Sequence, residues 1–174
     1  MRNNRSIRAA ALSLAATLTI LPAGLAFAHS YTIGEISIGH PWTRATPPSA
    51  AVGGGYLTLT NEGDEADRIL GGSSPVAERV EIHFMEMEEG IMKMRKIDGG
   101  VEIAPGETVE FAPGGYHLML INLKEPIAEG DRVPVTLEFE NGGTVDVELA
   151  AEAMGAPAME SHENHGAGNG HEGH

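Results

Sequence analysis

Cysteine is missing from the sequence altogether. That absence excludes disulfide staples, nucleophilic thiols, cysteine-based zinc sites and the His/Cys copper site of electron carriers. Basic residues are scarce, with 11 Lys and Arg against 25 Asp and Glu. So acidic a chain is a poor match for phosphates, and no nucleic-acid partner is expected. There is no P-loop, no zincin spacing and no Ser/His/Asp arrangement, so the chain is not expected to be an enzyme. No sustained 3.6-residue apolar period occurs beyond the N-terminal segment.

The one long apolar run lies at residues 9–25 and is broken by Pro22 and Gly24. Arg2, Arg5 and Arg8 precede it and Ala26-Phe27-Ala28 follows it. This is the pattern of a secretory signal peptide, residues 1–28, cut before His29. The chain is therefore expected to be exported, with no membrane span left after cleavage. Three of the basic residues and none of the acids lie in that segment, which leaves 8 Lys and Arg against 25 acids, a net charge of −17. An acidic surface keeps an exported protein soluble and gathers cations.

Residues 29–151 read as one β domain. Short strands are expected at 32–38, 55–60, 66–70, 76–87, 92–97, 108–111, 115–122, 132–138 and 144–149. Leu57 and Leu59 share one parity, and Val133, Val135, Leu137 and Phe139 share another, which marks half-buried strands. Turn signals such as Asp98-Gly99-Gly100 and Asn141-Gly142-Gly143 punctuate the runs. Many short strands at this spacing indicate an antiparallel β-sandwich or a barrel. His40, before Pro41, is expected at a strand end, and Trp42, the single tryptophan, in the core. A monomer is expected.

Residues 152–174 have a different composition. They hold Met154, Met159, His162, His165, His171 and His174 but no Val, Leu, Ile or aromatic residue. Such a segment cannot offset its ordering entropy by burial and is expected to be a disordered His/Met-rich tail. Its imidazoles, with Glu160, Glu163 and Glu172 nearby, suit Cu(II) or zinc. His29, once at a new N-terminus, brings an amine and an imidazole together and is a further candidate Cu(II) ligand.

The informative stretch runs from Glu81 to Met94. Four of the eight methionines, Met85, Met87, Met92 and Met94, fall within it. A turn near residues 88–91 pairs Met87 with Met92 and Met85 with Met94. Alternation then places these four on one face with His83. His117 and Met119, two residues apart, also share a face, with Leu118 pointing the other way. Thioether and neutral imidazole suit soft, closed-shell Cu(I), and neither loses a proton on binding. The same stripe also suits simple packing, since methionine fills apolar gaps flexibly.

These residues resemble the PCuAC-type periplasmic copper chaperones, whose motif is a His, a later Met and then His-x-Met. Here ten residues separate His83 from Met94, and 22 separate Met94 from His117-Leu118-Met119. The second gap is one residue longer than the usual spacing, which an added turn residue absorbs. His40-Pro41-Trp42-Thr43-Arg44-Ala45-Thr46, Gly55-Tyr56-Leu57-Thr58-Leu59-Thr60-Asn61 and Pro113-Gly114-Gly115-Tyr116 also look like the family. The likeness covers residues 32–149. It implies an all-β, cupredoxin-like antiparallel sandwich with Greek-key connections. It implies one Cu(I) held by His83, Met94, His117 and Met119; some members carry a Met beside the first His, where this chain has Phe84, so an accessory role would fall to Met85 or Met87. It further implies delivery of copper to the Cu-A subunit of cytochrome c oxidase, directly or through another periplasmic copper chaperone, and Cu(II) binding by the tail. A periplasmic copper store or resistance protein with no dedicated acceptor is the rival reading.

Overall fold

Alternation of apolar and polar residues becomes eleven strands in the computed structural model, which describes residues 31–155. The signal segment, His29 and the tail histidines His162, His165, His171 and His174 lie outside those residues. The strands are β1 Tyr31–Ile33, β2 Ile36–Arg44, β3 Val52–Asn61, β4 Asp67–Ser73, β5 Ala77–Glu88 and β6 Ile91–Lys96, then β7 Val101–Ile103, β8 Thr108–Phe111, β9 Tyr116–Leu123, β10 Arg132–Phe139 and β11 Gly143–Glu152. Among the described residues there is no helix, and nothing there is a helix long and apolar enough to cross a membrane.

The expected all-β class is observed. The sheet is barrel-like, one of the two forms the strand spacing allowed, where the family resemblance implied a sandwich. Hydrogen-bonded neighbours run β5, β9, β3, β2, β11, β10, β4 and back to β5. The closing seam is a single residue pair, Gly72 with Val80. Closure spares β4 and β5 the exposed edges that an open sandwich leaves. Two pairings are also parallel, β2 with β11 and β8 with β9, so the sheet is not purely antiparallel.

The inward face carries the core. Ile38, Leu59, Ile69, Ile103, Leu118, Leu120, Leu137 and Leu149 are fully buried. Val133, Val135, Leu137 and Phe139 of β10 all point inward, the parity expected of them. Trp42 is buried as expected and stacks on Tyr56, ring centroids 4.5 Å apart. His40 departs from its expected place. It sits with φ 45° in a bulge within β2, where the register shifts between Gly39 and Trp42. The bulge needs no ladder donor from Pro41, so the strand continues through the proline to Arg44. β7, three residues long, was not expected at all.

Candidate metal centre

Glu89 and Gly90 connect β5 to β6, with φ of 51° and 79°. Two successive positive φ values make the tight hairpin whose twist matches its strands, and Gly90 takes the second at no steric cost. The turn sets the register, so Met85 lies opposite Met94 and Met87 opposite Met92. All four methionines then project on the outer face of the barrel, away from buried Ile82. The opposite face of the hairpin is closed by ion pairs, Lys93 to Glu88 at 2.6 Å and Arg95 to Glu86 at 3.3 Å. Arg95 also lies 5.7 Å from the Phe84 ring centroid.

On the other side of β5 the neighbour is β9. His83 stands opposite His117, and Glu81 opposite Met119. The imidazole centroids are 6.0 Å apart. Leu118 and Leu120 fill the core from the inner face, leaving His117 and Met119 outside it. Met119 in turn lies opposite Gly54 of β3. A Cβ on Gly54 would come within 2.6 Å of the Tyr56 hydroxyl oxygen, so a side chain there would crowd this face.

The strands enclose a cleft of about 400 Å³. Met85, Met92, Met94, His117 and Met119 line it, together with Arg44, Gly54 and Tyr56. His83 does not line the cleft; it joins the group from β5, directly across from His117. Burial raises the Tyr56 phenol above its ordinary pKa, partly offset by the Arg44 charge. Among the described residues no three His, Asp or Glu side chains form a metal-binding group. The donors available here are therefore two imidazoles and a set of thioethers.

The protons on the two imidazoles follow from their partners. His117 is buried, and its Nδ1–H donates to the Gly115 carbonyl at 3.0 Å. A carbonyl can only accept, so in the neutral ring Nε2 is left with its lone pair. In His83 the arrangement is reversed. Its Nε2–H donates to Glu81 Oε2 at 3.1 Å, and Nδ1 is buried with no hydrogen-bond partner. An unpartnered buried lone pair is costly, and a cation held there would relieve the cost.

Glu81 is the residue that sequence reasoning missed. Its Oε2 takes the His83 proton donor, while Oε1 lies 3.3 Å from Arg79 Nε and 3.6 Å from Lys96 Nζ. The His83 hydrogen bond holds the carboxyl below its usual range. Burial opposes this, and Lys96 and Arg79 reinforce it. The available signal was parity, since Glu81 precedes His83 by two residues on one strand and must share its face. His40 is elsewhere, its Nε2 3.9 Å from Glu152 Oε1, and Met154 is exposed beyond the end of β11.

A family profile described as "Putative lipoprotein LpqE-like" matches residues 36–151. The protein Lxx21020 of Leifsonia xyli subsp. xyli (strain CTCB07) is 29% identical over 112 residues, which are 64% of this chain. The match spans 66% of that relative, short of two thirds of its length. Among solved structures, the copper-bound PCuAC domain from PmoF2 is similar with a TM-score of 0.63 and 30% identity, over 72% of this chain and 99% of that domain. The solution structure of CuI-DR1885 from Deinococcus radiodurans is similar with a TM-score of 0.53 and 27% identity, over 75% of this chain and 85% of the other.

Proposed function

The chain belongs to the LpqE-like family, and from the geometry of its outer face we propose that it is an exported copper chaperone that carries one Cu(I) on the outer face of its barrel. The ligands in this reading are His83 Nδ1, His117 Nε2, Met94 Sδ and Met119 Sδ. Copper is the cargo, and no catalysis is asked of the protein. The similarity to a copper-bound PCuAC domain and to a Cu(I)-loaded protein supports the choice of metal.

One observation carries the reading. Two imidazoles face each other across β5 and β9, and each has one nitrogen fixed as a donor by an acceptor-only group. In the neutral rings the remaining nitrogens carry lone pairs, and that of His83 is buried without a partner. Outer partners that set the tautomer of a ligating histidine are a recurrent feature of metal sites. Met94 and Met119 add neutral, soft sulfur at the cleft.

The chemistry suits carriage and release. Four neutral ligands lose no proton when Cu(I) binds, so loading depends little on pH near neutrality. Without thiolate the site holds copper less firmly than a cysteine site, and Met94, 46% exposed, is within reach of an acceptor. The acceptor in this reading is the Cu-A subunit of cytochrome c oxidase or another periplasmic copper chaperone. The basic, apolar N-terminal segment and the lipoprotein description of the family support export to the periplasm. Cu(II) capture by His162, His165, His171 and His174, with His29 as a further ligand, belongs to the same proposal. Removal of residues 156–174 should then lower the Cu(II) stoichiometry.

The test is a competitive Cu(I) titration of the wild type, Met119→Ala and His83→Ala. Both variants should lose affinity severalfold or more, and equal affinity overturns the ligand set. Transfer of bound Cu(I) to an apo Cu-A fragment separates delivery from storage. A store without an acceptor would retain its copper.

A further inference from the structure

Three of the methionines on the outer face are not needed for the four-ligand site. Met87 and Met92 are 64% and 58% exposed and stand opposite each other, and Met85 lies two residues from Met87 on the same face. Large apolar side chains held in water at a hairpin tip gain nothing from core burial, so packing does not explain them. Nor does a general docking face. The four hairpin positions of this parity nearest the turn are all methionine, and the next pair on the same face is His83 with Lys96. Apolar contact accepts many side-chain types, whereas thioether sulfur is a preferred ligand of soft metal ions. Exposed Ile91 pairs with Glu88 and so has the other parity.

We propose that Met85, Met87 and Met92 form a second, weaker site for a soft monovalent cation, Cu(I) or Ag(I), at the tip of the β5–β6 hairpin. Directly opposed side chains on paired strands have Cβ atoms about 5 Å apart, and same-face neighbours along a strand about 7 Å. Three flexible thioethers at that spacing can converge on one ion. Met85 and Met92 also line the cleft that holds Met94, His117 and Met119. An ion at the tip is thus one step from the inner site, and the hairpin becomes the route by which copper enters and leaves. The inference rests on the Cu(I) reading for its biological ion, but the site itself stands or falls separately.

Ag(I) is the probe, because it is soft, closed-shell and stable in air. The full chain, labelled with ¹³C at the methionine methyls, is titrated with Ag(I) and followed by NMR. The first equivalent should shift Met94 and Met119, and the second should shift Met85, Met87 and Met92. In Met87→Leu/Met92→Leu, which keeps apolar bulk and the hairpin, the second hairpin event should be lost and the first retained. In His83→Ala the first should weaken while the hairpin event persists; loss of both there would tie the hairpin to the inner site and overturn its independence. Static Met87 and Met92 methyls through two equivalents, or movement of all five methyls together in the first, would also overturn the second site. An unweakened first event in His83→Ala with the hairpin event intact would instead count against the four-ligand reading alone.

Discussion

Glu81 accepts a hydrogen bond from His83 Nε2 at 3.1 Å, and the other nitrogen of that imidazole is buried without a partner. The carboxylate therefore chooses which nitrogen of His83 is free. Loss of such a partner commonly lowers metal affinity by about 10–100-fold. Glu81→Ala should weaken Cu(I) binding by about that factor, while Glu81→Gln, whose amide oxygen can still accept, should fall between it and the wild type. Competition with a Cu(I) chelator measures both. Equal affinity in all three proteins would show that the contact does not orient the ligand.

Adjacent residues of β9 should separate stability from binding. Leu118 is fully buried, and Leu118→Ala should cost about 2–5 kcal/mol in denaturant unfolding. Met119, on the outer face, should cost far less on truncation yet reduce Cu(I) affinity. If Met119→Ala unfolds as readily as Leu118→Ala, the outer face is part of the core after all.

The hairpin turn makes a third prediction. Glu89 adopts φ 51°, a conformation that asparagine tolerates better than glutamate. Glu89→Asn should raise the melting temperature slightly, and Gly90→Val, forcing a β-branched residue to φ 79°, should lower it by about 1 kcal/mol or more in stability. Thermal unfolding of the metal-free protein measures both. A neutral Gly90→Val would contradict the turn geometry.

Tyr56 sets an alkaline limit. Burial raises its folded pKa above the unfolded value of 10.0, so the folded state disfavours the phenolate. The contribution to stability is full below pH 10 and is lost as pH rises through the folded pKa. Melting temperature should fall with rising pH in that window, and less steeply in Tyr56→Phe. Parallel profiles would show that other groups govern alkaline unfolding.

The elements that build the site were the most legible in the sequence. Period-two alternation marked β5, β6 and β9, and the hairpin pairs Met85 with Met94 as that pattern requires. What alternation cannot convey is which non-consecutive strands meet. The barrel closes through one pair, Gly72 with Val80, neither of which advertises the contact. The continuation of β2 beyond Ile38 was hidden by Pro41, whose lack of a backbone donor is harmless only because a bulge falls there. Glu81 was hidden by its ordinariness, since one acid among 25 reveals a role only when its partner is known. The choice between packing and ligation was not open to parity at all. The proposed ligation draws instead on which imidazole nitrogens already have partners.

The most direct test of the central claim is X-ray absorption at the copper edge of the protein loaded with less than one equivalent of Cu(I). The account predicts a first shell of both sulfur and imidazole nitrogen, with the sulfur signal reduced in Met119→Ala and the imidazole signal in His83→Ala. A shell without sulfur, or one without imidazole, would contradict it.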